Sequence, residues 1–235
     1  GIAQTGTGKT FAFGIPMIQR LAQVKGQGLV ILPTRELAIQ VDEALKTITK
    51  SINLRTAVII GGASSGSQIR MIAKNPHIII ATPGRLLDHM NQKVLRLNNV
   101  RIVVLDEADR MLDMGFAPQI NKVLSAVPKD RQTMLFSATM PAGIMKIASA
   151  HMKLPIRVEV APSGTTVERV TQEVFIIHKD SKNRLLEKLL EQYQGTALVF
   201  TRTKYGAKRL VSKVRAMGHT AAEIHSIRSL IQRRE

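Results

Sequence analysis

A chain of 235 residues with 44% hydrophobic side chains is long enough for one large domain or one and a half ordinary ones, and it can bury a full core. The absence of cysteine excludes disulfides, thiolate metal sites and a cysteine nucleophile and suits a reducing compartment, while no apolar run approaches the ~20 residues that span a bilayer. Lys and Arg outnumber Asp and Glu by 34 to 17, a net +17 that both parts of the chain share, which points to a polyanionic partner such as nucleic acid.

Gly1 and Ile2 read as the end of a strand feeding Ala3-Gln4-Thr5-Gly6-Thr7-Gly8-Lys9-Thr10, a stretch with the form of a phosphate loop. Gly6 and Gly8 let the backbone aim its N–H groups at phosphate oxygens, Lys9 reaches the β- and γ-phosphates, and the Thr10 hydroxyl can bind Mg²⁺. Ala3 stands where the strict pattern has Gly. The helix opened here runs past Leu21, with Gly14 and Pro16 as expected bend points. A short strand over 28–32 stops at Pro33. Thr34 then caps a helix in which Leu37, Val41, Leu45 and Ile48 recur at helical spacing. The alternation continues with a strand over 55–60 closed by Gly61-Gly62, a helix over 64–73 and a strand over 77–81. Thr82-Pro83-Gly84-Arg85 turns into a helix reaching about Met90.

The apolar run over 100–105 ends at Asp106, where the buried strands of open α/β sheets place their ligands. A carboxylate there can hold a metal through water, and Glu107 beside it can orient or deprotonate an attacking water. Alone, an Asp-Glu pair after an apolar strand also fits a solvated strand end; a phosphate loop upstream favours the chemical reading. Short helices over 108–112 and 118–127, a strand over 132–136 ending at Ser137-Ala138-Thr139, a helix over 142–150 and a strand over 156–160 follow. Strands separated by such helices imply an α/β fold with a parallel sheet covered on both faces. Residues 161–168 read as a linker between a domain over 1–160 and a second α/β domain over 169–235. The second has strands over 172–177, 197–200 and 220–224, helices over 182–193 and 204–217, and a helix starting near Ser229, about half the usual length of a domain.

These stretches together resemble the DEAD-box ATP-dependent RNA helicases of superfamily 2, in family order and over nearly the whole chain. Residues 3–10 resemble the family's ATP-binding loop and 33–38 its Pro-Thr-Arg-Glu-Leu-Ala element. Gly61-Gly62 and Thr82-Pro83-Gly84-Arg85 look like its RNA-backbone elements, 106–109 like the name-giving motif, and Ser137-Ala138-Thr139 like its coupling motif. The text over 110–116 and 131–136 looks most like the bacterial RhlE-like branch. The resemblance implies a RecA-like P-loop domain followed by an incomplete second RecA-like domain, with the sequence cut short at both ends.

It implies ATP and Mg²⁺ as cofactors, with Ala3, Gln4, Thr5, Gly6, Thr7, Gly8, Lys9 and Thr10 binding nucleotide and Thr10 and Asp106 serving the metal. Glu107, Asp106 and Lys9 would act in catalysis, and Asp109, Ser137 and Thr139 would couple nucleotide state to lobe closure. Single-stranded or duplex RNA would lie on Arg35, Gly62, Thr82, Gly84 and Arg85 of the first lobe and Thr201, Arg202 and Arg233 of the second. Ile227 and Leu230 depart from the pattern near that second set. The implied setting is cytoplasmic, with ribosomal or RNA-degradation assemblies as partners and no membrane. Arginines that complete the ATP site in the family have no counterpart before Glu235, so weak hydrolysis by this chain alone is expected.

The residues support these roles independently. Glycines permit close approach to phosphates, a helix N-terminus attracts anions, and arginines offer fork-shaped donors. Taken singly, Gly61-Gly62 also reads as a strand-ending turn, Arg35 and Arg85 as solvated side chains, and Ser137 and Thr139 as structural hydrogen-bonding groups. Aromatics make up 3% of the chain with no Trp, so a base-stacking platform is not expected and RNA would be held by its backbone. Two other functions fit the basic surface: a non-catalytic RNA-binding module, and a DNA-directed P-loop motor that would bind DNA and RNA strands alike.

Overall fold

The computed structural model describes residues 1–2, 8–159, 171–225 and 228. The chain divides into two units, 1–165 and 166–235, and each is considered by itself.

The first unit is built on five parallel strands, β1 (Gln27–Ile31), β2 (Thr56–Ile59), β3 (Ile78–Ala81), β4 (Val100–Leu105) and β5 (Gln132–Leu135), in the order β2-β3-β1-β4-β5. The three central strands are the most apolar: Leu29 to Ile31, Ile78 to Ala81 and Ile102 to Val104 have no exposed surface. Such unbroken burial follows from a parallel sheet covered on both faces. Side chains alternate across it. Leu29, Ile31, Ile79, Ala81, Val103 and Leu105 join one core with residues of α3 (Ser65–Ala73), α4 (Pro83–Asn91), α5 (Ala108–Asp113), α6 (Ala117–Ala126) and α7 (Ala142–His151). Two helices, α1 (Lys9–Gln23) and α2 (Arg35–Thr49), pack against each other and bury Phe13, Met17, Val41 and Leu45.

Gly14 and Pro16 lie inside an unbroken α1. Gly14 serves packing: a Cβ there would stand 2.6 Å from Leu45 Cδ2, so its bareness lets α1 and α2 approach. Thr34 caps α2 as expected, accepting a hydrogen bond from the Leu37 N–H at 3.3 Å.

Gly1 and Ile2 continue the sheet beyond β5. The Gly1 carbonyl accepts from Ser137 N–H at 3.1 Å, and Ile2 forms parallel bridges to Ser137 and Glu159. The expected strand over 156–160 is not formed among the described residues. Among the described residues it has only the Ile2–Glu159 bridge and the Ile2 N–H bond to Val158 O at 2.8 Å, and Leu154 and Ile156 are exposed.

In the second unit α8 (Lys182–Gln192) and α9 (Lys204–Ala216) form where expected, α9 capped by Thr203. The strands expected over 172–177, 197–200 and 220–224 do not form, and Val174, Ile176, Leu198 and Phe200 are largely exposed. The apolar runs are there, but a strand exists only through a paired neighbour, and the described residues of this unit supply none. The linker over 161–168 and the helix expected near Ser229 lie outside the described residues. Among those described, no helix is long and apolar enough to cross a membrane.

Candidate functional site

Every candidate residue described in the first unit sits at the carboxyl edge of the sheet. Gly61 and Gly62 follow β2, Thr82 to Arg85 follow β3, Arg35 follows β1, Asp106 to Asp109 follow β4, and Ser137 to Thr139 follow β5, with Gly1-Ile2 alongside. The chain leaves β1 toward β2 and β3 and later crosses to β4, so the strand order reverses between β1 and β4. Open α/β sheets bind ligands at such a switch point. The residues suited to RNA backbone fall on one side of it and those suited to nucleotide on the other.

On the β4–β5 side, Gly8 is the N-cap of α1 at φ +79°, a left-handed conformation that glycine adopts without strain. Lys9 and Thr10 open the helix. Ala3 to Thr7 lie outside the described residues. Asp106 is buried, its N–H donating to Ile31 O at 3.0 Å and its Oδ1 accepting from Glu107 N–H at 2.9 Å. Burial pushes its carboxyl above the ordinary value and the charges of Glu107 and Asp109 add to this, while Lys9 and the Glu107 N–H work against it. Glu107 holds φ +51°, a strained conformation for a residue with a Cβ and one that collects at functional sites. Its Oε2 pairs with Arg110 Nη1 at 3.1 Å, a contact that the motif pattern did not announce.

Asp109 is a hydrogen-bond hub. Its Oδ2 accepts from both the N–H and the hydroxyl of Thr139 at 2.8 Å, its Oδ1 from Arg110 N–H at 3.0 Å, and its own N–H donates to Ser137 Oγ at 3.1 Å. Burial raises this carboxyl, but the bonds from Thr139 and Ser137 outweigh it and hold Asp109 below its ordinary value. The stretches 106–109 and 137–139, about thirty residues apart in sequence, are thus joined atom to atom. A cavity of about 1010 Å³ along β5 is lined by Leu135, Phe136, Leu154, Ile156 and Lys9 among others, but it is mainly apolar and the acidic residues do not line it.

On the other side, Gly62 adopts φ +72° and the Arg35 guanidinium lies directly against Gly61 and Gly62, where any Cβ on Gly62 would collide with it. Arg85 Nη1 donates to Ala63 O at 3.3 Å. Thr82 is the N-cap of α4 with Pro83 at the first position, and its side chain makes no capping bond. A Cβ on Gly84 would meet nothing within 4 Å. Packing therefore does not dictate that glycine, and open space lies over the helix N-terminus. Two buried residues escaped the sequence reading: Gln68 and His89, bonded to each other at 3.1 Å beneath this surface. Polar residues at inward positions of a helix were the only signal. In the second unit Thr201 and Arg202 are exposed ahead of α9; Arg233, Ile227 and Leu230 lie outside the described residues.

A sequence profile of the DEAD/DEAH box helicase family matches residues 1–147. The chain belongs to the DEAD/DEAH box helicase family. It is 48% identical over 228 residues to the DEAD-box ATP-dependent RNA helicase CshA of Bacillus licheniformis, covering 96% of this chain and 47% of that protein. Against CshA of Bacillus subtilis the figures are 47% identity, 96% and 46%. It also resembles the crystal structure of a DEAD box protein from the hyperthermophile Methanococcus jannaschii, with TM-score 0.65 and 38% identity over 99% of this chain and 63% of that one. That likeness supports the RecA-like α/β assignment. The chain spans about half the length of the curated relatives it matches. The expectation of an RhlE-like branch finds no support in these relatives, which carry the name CshA. The text over 110–116 and 131–136 lies within the stretch that the family profile matches.

Proposed function

We propose that this DEAD-box helicase chain binds Mg²⁺-ATP at the β4–β5 end of the sheet edge and single-stranded RNA at the β2–β3 end, within an enzyme that separates short RNA duplexes locally. The reading is carried by the division of that edge: an acidic cluster, Lys9 and the start of α1 on one side of the switch point, glycines, arginines and a helix N-terminus on the other.

Lys9 and the first N–H groups of α1, with residues 3–8, would take the phosphates. Asp106 suits Mg²⁺: it is a buried carboxylate whose described hydrogen bond is to a single backbone N–H, and burial has raised the cost of its charge. Thr10 would be the second protein group at the metal. When bound, Mg²⁺ neutralises charge on the β- and γ-phosphates. Glu107 would orient the attacking water and accept its proton, and Asp109, bonded to Thr139 and Ser137, would report the state of that end of the site to its neighbours. Arg35, Gly62, Thr82, Gly84 and Arg85 would hold successive RNA phosphates, and Thr201, Arg202 and Arg233 would extend the contact. The domain division at 161–168, a cytoplasmic location and work beside ribosomal or RNA-degradation assemblies belong to the same proposal.

The test is binding of a fluorescent ATP analogue and ATP hydrolysis, each with and without a single-stranded oligoribonucleotide. Lys9→Ala should abolish nucleotide binding, whereas Glu107→Gln should leave binding intact and remove whatever turnover RNA stimulates. Salt-sensitive RNA binding indifferent to ATP and to Lys9→Ala would instead identify a non-catalytic RNA-binding module. Equal affinity for DNA and RNA strands would favour a DNA-directed motor.

A further inference from the structure

Beneath the loops after β2 and β3 lies a polar pair that the ATP chemistry does not use. Gln68 on α3 is 1% exposed and His89 on α4 is fully buried. Gln68 Nε2 donates to the carbonyl of Ile60 at 2.8 Å. A carbonyl can only accept, so the amide cannot be flipped. Its Oε1 must then face His89 Nε2, at 3.1 Å, and that nitrogen must carry the ring proton. His89 therefore carries a proton on Nε2, with Nδ1 buried and without a hydrogen-bond partner among the described residues. Burial and the neighbouring Arg85 hold the ring below its ordinary value against the opposing pull of Asp88, which keeps it neutral at pH 7.

Gln68 satisfies the buried Ile60 carbonyl, but a ring that leaves Nδ1 unsatisfied is not what packing alone would select at position 89. The place of the two residues in the fold accounts for the pair. Ile60 is the residue before Gly61-Gly62, and His89 is on the helix that begins at Thr82 to Arg85. The chain of bonds from Ile60 O through the Gln68 amide to the His89 ring ties one phosphate-facing loop to the helix that carries the other. A second tie, Arg85 to Ala63 O, lies at the surface, where water competes with it. The Gln68–His89 tie is sealed from water.

We propose that Gln68 and His89 are positioning residues that hold the Gly61-Gly62 loop and the N-terminus of α4 at the separation an RNA backbone requires. The proposal rests on the reading that this end of the sheet takes RNA, and the two are separable by experiment. Binding of a fluorescein-labelled single-stranded oligoribonucleotide to the chain is followed by anisotropy, with binding of a fluorescent ATP analogue measured in parallel. Arg35→Ala and Arg85→Ala remove groups that face the ligand directly. Gln68→Met keeps the volume and removes both bonds; His89→Gln returns an amide N–H to the place of Nε2–H, while the shorter His89→Asn does not reach it.

RNA affinity should fall roughly tenfold in Gln68→Met and His89→Asn, within the range that loss of an outer-shell partner costs at preorganised sites, and recover in His89→Gln. Nucleotide affinity should stay unchanged throughout, which also reports that the variants fold. If Gln68→Met does not fold, the contrast between His89→Gln and His89→Asn decides alone. Loss of RNA binding in the arginine variants with no loss in Gln68→Met, or no difference between the two His89 variants, overturns the positioning role. Unchanged RNA binding in the arginine variants overturns the RNA reading itself.

Discussion

Replacing Asp109 by alanine should destabilise the first unit by about 2–3 kcal/mol. The carboxylate accepts three hydrogen bonds, two from Thr139 and one from the Arg110 N–H. Hydrogen bonds to a charged group contribute about 1.5–3 kcal/mol each, and partial exposure here brings that to about 1 kcal/mol apiece. Both tyrosines, Tyr193 and Tyr205, belong to the second unit and the chain has no Trp, so unfolding of the first unit is followed by far-UV circular dichroism in urea. With a urea slope of about 2 kcal/mol per molar, the midpoint should drop by roughly 1–1.5 M. The Thr139 amide should also lose protection from hydrogen exchange. The pH dependence has a definite sign: the folded-state pKa of Asp109 is depressed, so its contribution is complete above the unfolded-state value and is lost as pH falls through the folded one. The gap between wild type and Asp109→Ala should thus hold from pH 7 down to about 4–5 and close below that, since an unfolded aspartate titrates near 3.9. A gap under about 0.5 kcal/mol at pH 7, or one that already closes between pH 7 and 5, would refute the argument.

Two further substitutions probe the scaffold. Gly62→Ala combines the cost of a left-handed alanine, about 1–2 kcal/mol, with displacement of the Arg35 guanidinium, so it should lower both stability and RNA affinity; unaltered RNA binding would mean that Arg35 is not held in place by this loop. Arg131 donates to Thr133 Oγ1 and to the carbonyls of Val127, Pro128 and His151 at the ends of α6 and α7. Arg131→Ala should therefore cost about 2–3 kcal/mol and lower the thermal midpoint by roughly 5–10 °C, and a shift under 2 °C would show that water replaces those bonds without loss.

The elements that sequence revealed are those whose signal is local. Ile78, Ile79 and Ile80 can hardly be anything but a strand buried on both faces, and Thr34 announces the helix it caps. Asp106 could be placed at a strand end because the four residues before it, 102–105, are all apolar. Pairing is not local, and the misses follow from that. Neither the order β2-β3-β1-β4-β5 nor the division of the edge at β1 and β4 can be read from alternation alone. The stretches over 172–177 and 197–200 look as strand-like as β1, yet have no paired strand among the described residues. Gln68 and His89 were invisible for a related reason, since each is an ordinary helix residue until the other is seen beside it. Gly14 reads as a bend point in sequence because its true neighbour, Leu45, is thirty-one residues away.

The parallel ladder sets a scale that no side chain can change. Neighbouring strands lie ~4.8 Å apart, so the loop after β2 and the loop after β5 are separated by roughly 19 Å across four steps of one hydrogen-bonded slab. A slab of this kind has no hinge between its two ends. Molecules seated at opposite ends of it should bind with additive free energies, and any cooperativity between them must come from a body that touches both.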